Sequence, residues 1–153
     1  MIYNIHHLHC GSFCPVCAPL FGQKGWKAHL VCHCLLIETD RGLVLIDTGL
    51  GTQDYLHTEQ RLGSLLTQFG SIVPNLKLSA IEQIQKLGLR PEDVQHIFVT
   101  HLDFDHAGGI SDFPNATVHI LASEFVPAKI CFSLAKMVQG KAQFFASWEV
   151  CGP

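Results

Sequence analysis

No block of Lys or Arg occurs anywhere in this chain, and only 15% of its residues are charged, for a formal net charge of −3. Nucleic acid and anionic membrane surfaces demand a concentrated basic footprint, so neither is an expected partner. Long apolar runs are missing too. Stretches such as Cys34 to Ile37 and Leu43 to Ile46 are strand-sized, far short of the roughly 20 residues that cross a bilayer. The first residues, Met1-Ile2-Tyr3-Asn4-Ile5-His6-His7, have neither the basic start nor the apolar core of a signal peptide. A cytoplasmic location is therefore expected. Internal repeats and low-complexity linkers are absent, which leaves one domain over residues 1–153.

What is present is apolar material, 48% of the chain, enough for a real core. Ile2 to Leu8 alternates and predicts an opening strand that ends in a turn at Gly11. The segment from Phe13 to Gly25 fits no regular element. His29 to Glu38 and Leu43 to Ile46, joined by Asp40-Arg41-Gly42, predict a hairpin whose second strand runs into Asp47-Thr48-Gly49-Leu50-Gly51. Residues 52–78 are broken by Gly63, Gly70 and Pro74 and read as short helix plus loop. A clearer helix follows Ser79, with Glu82 completing a capping box, Ile81, Ile84 and Leu87 on one face, and Gly88 as its stop. Pro91-Glu92-Asp93 begins a turn feeding a strand from His96 to Thr100. Ala116 to Leu121 is a further strand, and Ser123 with Glu124 opens a helix expected to run to about Val138. Strands alternating with helices predict a mixed α/β sheet with helical cover.

Seven cysteines in a chain without an export signal are expected to be reduced thiols. Cys10, Cys14 and Cys17 have a spacing used to hold iron–sulfur clusters, and Cys14-Pro15-Val16-Cys17 alone has that of a redox pair. Free thiols in a loop are the simpler reading, because a radical enzyme's barrel and a thioredoxin-like βαβ unit both lack support in the pattern. Cys32 and Cys34 share one face of a strand and belong to the core. His6, His7 and His9, with Cys10 nearby, are read as solvated rather than as a metal site, and His29, His57 and His96 have no companion at ligand spacing.

The densest chemistry lies in Thr100 to Gly109. His101, Asp103, Asp105 and His106 fall within six positions, directly after the apolar run Ile97-Phe98-Val99. Imidazole nitrogen and carboxylate oxygen suit zinc, iron or manganese, and two such ions about 3.5–4 Å apart activate a bridging water. Leu102 and Phe104 are expected to face the core, while Gly108 and Gly109 are expected to let backbone approach the metals closely. The alternative is a polar loop in which the Asp residues cap a helix and the His residues stay at the surface.

This stretch resembles the His-x-His-x-Asp-His motif of the metallo-β-lactamase-fold hydrolase superfamily, which includes lactonases and glyoxalase-II-like thioesterases. Asp47-Thr48-Gly49, at the end of an apolar strand, looks like that family's Asp-Thr-Gly turn. The resemblance covers roughly residues 30 to 125. It implies a metallo-β-lactamase-like αββα sandwich in the α/β class, of which this chain carries the N-terminal half, truncated at the C-terminus. It further implies that His101 and residue 103 bind one divalent ion and that Asp105 and His106 bind a second. Asp105 would also act as the catalytic residue that orients the nucleophile, with Asp47, Gly108 and Gly109 supporting the site.

The chain departs from the family at Asp103, where the motif has histidine. A carboxylate there hardens the site and moves the expected metal from zinc toward iron or manganese, and flavodiiron members of the superfamily also carry one. The ligands that the family draws from later strands are also missing. Only Asp112 and His119 remain as His or Asp after His106, neither well placed, and no spacing recommends Glu124, Cys131, Glu149 or Cys151. The expected function is hydrolysis of an ester, lactone or thioester small molecule by a metal-bound hydroxide, once a C-terminal half completes the site. A non-catalytic remnant of the fold and a cysteine-based redox or iron–sulfur protein are the competing readings. Half of a two-layered fold exposes a sheet face, so self-association into a homo-oligomer is expected.

Overall fold

The computed structural model describes residues 1–121 and the backbone of residues 142–145. The helix expected from Ser123 to Val138 and the alternative donors Glu124, Cys131, Glu149 and Cys151 lie outside the described residues. Six strands form one sheet in sequence order: β1 (Ile2–Phe13), β2 (Leu30–Thr39), β3 (Gly42–Ile46), β4 (Val94–Val99), β5 (Thr117–Leu121) and β6 (Ala142–Phe145). The first three are antiparallel neighbours, and β3, β4, β5 and β6 run parallel. Beside them lie α1 (Thr52–Leu56), α2 (Thr58–Leu62), α3 (Ser64–Gly70), α4 (Ala80–Lys86) and α5 (Phe104–Ala107). The expected mixed α/β architecture is what forms.

Alternation along the strands decides the two faces. Leu8, Cys10, Cys32, Cys34, Leu36, Leu45, Ile97, Val99, Val118 and Ile120 are buried on one side, packed with Ile84 of α4, Tyr55 of α1 and Leu50. Each such aliphatic side chain contributes roughly 1.5–3 kcal/mol on leaving water. On the other face, Ile5 and Val31 are exposed and Leu35, Ile37, Val44 and Ile46 are only half-buried. No helix among the described residues is long and apolar enough to cross a membrane.

Four local expectations need correction. β1 does not stop at Gly11 but continues to Phe13, because the glycine, at φ +143°, sits in a register shift between His9 and Ser12. A bulge absorbs the extra residue that the sequence presents as a turn. Ser79 does precede α4, but its hydroxyl makes no capping bond and is buried without a partner. Leu87, expected on the core face of α4, is 45% exposed, since Leu87 follows the last helical residue, Lys86. In the loop after β1, expected to be irregular, Ala18–Phe21 forms a short 3-10 turn.

Candidate metal centre

The site sits where β3 and β4 end side by side. Their parallel register pairs Ile46 with Phe98, and the Asp47 amide extends it by donating to the Phe98 carbonyl at 2.9 Å. Asp47 thereby comes to lie next to Thr100. Its backbone is left-handed, at φ +58°, a conformation that Asp tolerates better than most residues but that still stores strain. Gly49 follows at φ +64°, and a Cβ there would overlap the Cβ and carbonyl oxygen of Cys10. The chain turns sharply beneath the second loop as a result.

That second loop runs from Thr100 to Gly109. Leu102 is buried, and Phe104 packs on the core with its ring 5.8 Å from that of Phe13. Asp103 precedes α5 without a side-chain capping bond, and α5 then carries Asp105 and His106 on adjacent positions of a single helical turn. The two loops are tied together by backbone: Thr48 N and Oγ1 both donate to the His106 carbonyl, at 2.7 and 3.0 Å, and Gly109 N donates to the Gly49 carbonyl at 3.0 Å. Gly108 presses so closely on Asp54 and the Gly49 carbonyl that no side chain fits there. In this structure the close approach of Gly108 and Gly109 is to the Asp47–Gly51 loop.

Of the four residues singled out in the sequence, His101, Asp105 and His106 converge, each offering one ligand atom within 4.8 Å of the others. They form the one group of three or more metal-capable side chains within that reach among the described residues. All three are half-buried. Asp103 stands at the margin, with its side chain 74% exposed and one oxygen 3.4 Å from His101 Nε2.

Asp47 lies behind this group. Its Oδ1 accepts from Thr100 N at 2.8 Å, and its Oδ2 accepts from Thr100 Oγ1 at 2.7 Å and from His106 Nδ1 at 2.8 Å. An imidazole whose Nδ1 proton is held by a buried carboxylate presents the Nε2 lone pair forward, which is how metal-ligating histidines are commonly oriented. His106 Nε2 does face forward, 3.6 Å from Asp105. Two nitrogen donors and one carboxylate oxygen, with His106 held from behind by Asp47, fit a borderline divalent ion such as zinc, iron or manganese.

Neighbouring carboxylates and thiols have other work. Asp112, judged by sequence to be poorly placed as a late ligand, accepts from Thr52 N and Oγ1 at 2.8 and 2.5 Å, and burial raises its pKa. Asp54 accepts from Gly51 N and from Arg61 Nε. Both carboxylates brace the loop that carries Asp47. Burial first, and the Asp105 charge second, push the Cys32 thiol up to about 12, so it stays protonated. Cys10 is wholly buried, Cys14 is half-buried and Cys17 is exposed, and the three do not converge within metal-binding reach.

His119, the other residue considered by sequence, lies on β5 against His96, with ring nitrogens 3.0 Å apart. His96 thus has a companion that linear spacing concealed. His7 and His9 are exposed, His7 beside His33 and His9 beside Ser12, while Cys10 points to the opposite, buried face. Thr48 stands within the Asp47-Thr48-Gly49 turn and Thr100 just before His101, while Asp54 carries no sequence signal of its own.

Residues 29–124 match the sequence profile of the metallo-beta-lactamase superfamily. The chain belongs to that family. It is 43% identical over 121 residues to a probable metallo-hydrolase of Mycobacterium tuberculosis, a match spanning 79% of this chain and 35% of the relative. Over 98 residues it is 33% identical to an N-acyl homoserine lactonase of Bacillus cereus, covering 63% of this chain and 38% of that protein. The fold superimposes on an N-acyl homoserine lactone hydrolase crystallised with N-hexanoyl-L-homoserine at its catalytic metal centre. That match has a TM-score of 0.75 and 22% identity, over 98% of this chain and 62% of the other. The chain therefore spans just over a third of the length of these sequence relatives. Its fold is the metallo-β-lactamase fold, whose chemistry depends on divalent metal.

Proposed function

We propose that this chain supplies the metal-binding part of a hydrolase acting on an ester-type carbonyl in a small molecule, with lactones the first class to test. The observation that carries the reading is the convergence of His101, Asp105 and His106 in front of Asp47. Lactones rank ahead of simple esters and thioesters because the named activity among the relatives is lactone hydrolysis.

When bound, a divalent ion acidifies a water and polarises the carbonyl. His101, Asp105 and His106 would hold the ion, together with donors from elsewhere in the assembled enzyme. Asp105 would also accept a hydrogen bond from the attacking water and orient it toward the carbonyl carbon. Asp47 keeps the His106 Nδ1 proton in place, so that His106 does not rotate when substrate enters.

Hydrolysis of a chromogenic lactone by the assembled, zinc- or manganese-loaded enzyme, lost when this chain carries Asp105→Ala, is the expected result. Turnover unchanged in that variant would overturn the assignment.

A further inference from the structure

We infer that Thr100 is a positioning residue through which Asp47 fixes His101 as well as His106, so that one buried carboxylate sets the tautomers of both imidazoles. The inference rests on the metal-centre reading above and concerns how its donors are held.

The argument is an accounting of protons. Asp47 Oδ2 is an acceptor only, and two groups reach it: Thr100 Oγ1 at 2.7 Å and His106 Nδ1 at 2.8 Å. Both must donate. Thr100 has a single hydroxyl proton, and the ionised carboxylate at 2.7 Å takes it in preference to a neutral imidazole nitrogen farther away. Thr100 Oγ1 is left with lone pairs only, and it lies 3.3 Å from His101 Nδ1 and 3.2 Å from His106 Nδ1. His106 already gives its proton to the nearer Asp47 oxygen. The competing acceptor for the His101 proton, the Asp103 carboxylate 3.4 Å from Nε2, is 74% exposed and screened by water, so His101 Nδ1 donates to Thr100 Oγ1, 3.3 Å away, which donates to Asp47.

The consequence is geometric. With Nδ1 protonated on both rings, both Nε2 lone pairs face the side on which Asp103 lies 3.4 Å from His101 and Asp105 lies 3.6 Å from His106. The rings sit 3.7 Å apart between centroids, so the two donors are held as a pair. Thr100 can fill this role because its own amide is anchored on Asp47 Oδ1 at 2.8 Å, which fixes the hydroxyl relative to the carboxylate.

Two-bond proton–nitrogen spectra of the imidazoles in the full, metal-free chain read the tautomers directly. Both His101 and His106 are expected to be protonated at Nδ1. Thr100→Val keeps the shape and the amide anchor but removes the hydroxyl; it should redistribute the His101 proton between the two nitrogens while leaving His106 unchanged, and Thr100→Ser should restore the original spectrum. In a chelator competition, Thr100→Val should bind zinc about tenfold more weakly, as for other groups that orient a metal-ligating histidine, with Thr100→Ser close to the parent. A wild-type His101 protonated at Nε2, which needs no variant to detect, overturns the inference, as does a Thr100→Val spectrum identical to the parent's. Failure of the parent chain to bind zinc would sink the metal-centre reading and leave the tautomer test intact.

Discussion

Asp47 and His106 meet across 59 positions of sequence, with Asp47 Oδ2 accepting the His106 Nδ1 proton at 2.8 Å. This bond is one of several that join the two motifs of the chain. It exists because β3 and β4 run parallel and end together, so the turn after one strand lies under the loop after the other.

Asp47→Asn tests that bond. The amide keeps the volume, but it removes the charge and places an NH2 against a donor. Zinc affinity measured by chelator competition should fall by about 10–100-fold, with a lowered melting temperature because Thr100 and His106 lose a charged acceptor.

Gly49→Ala addresses the turn itself. A methyl group there meets the Cys10 backbone at a positive φ, and the expected cost in urea unfolding is more than about 2 kcal/mol. Gly88 has a similar φ of +78° with nothing within 4 Å. Gly88→Ala should therefore cost only about 1 kcal/mol.

Stability should also depend on pH through His119. Burial first, and His96 second, lower its pKa from the ordinary 6.5. The unfolded chain then takes up the proton before the folded one, so the neutral ring's contribution is full above about 6.5 and is lost as the pH falls below it. Thermal melts between pH 8 and pH 5 should show the decline, and His119→Phe should flatten it.

Asp103 stands where the motif that this loop resembles has histidine. Replacing this exposed carboxylate with imidazole, Asp103→His, should raise the preference for zinc over manganese by about tenfold, because the donor beside His101 becomes softer. Competitive loading followed by metal analysis gives the ratio.

Much of this was legible in the linear chain. The hairpin through Asp40-Arg41-Gly42, the apolar strand before His101 and the two motifs are local patterns, and each appears where the residues place it. Thr100 was not legible as a bridge, since its role depends on the β3–β4 register rather than on its neighbours. Asp112 is poorly placed as a ligand by sequence, and its bonds to Thr52, which explain why it is there, depend on tertiary contact. Gly11 reads as a turn because a bulge and a turn ask for the same residue. Ser79 reads as a helix cap because its spacing to Glu82 is right, yet its hydroxyl makes no capping bond.

Metal content of the purified chain bears most directly on the centre formed by His101, Asp105 and His106. Elemental analysis after anaerobic purification and exhaustive dialysis should find zinc, iron or manganese summing to at least about one equivalent per chain. In a His101→Ala, His106→Ala double variant that remains folded, the same analysis should return background. All three metals at background in the parent chain, or full retention in the double variant, would contradict the assignment.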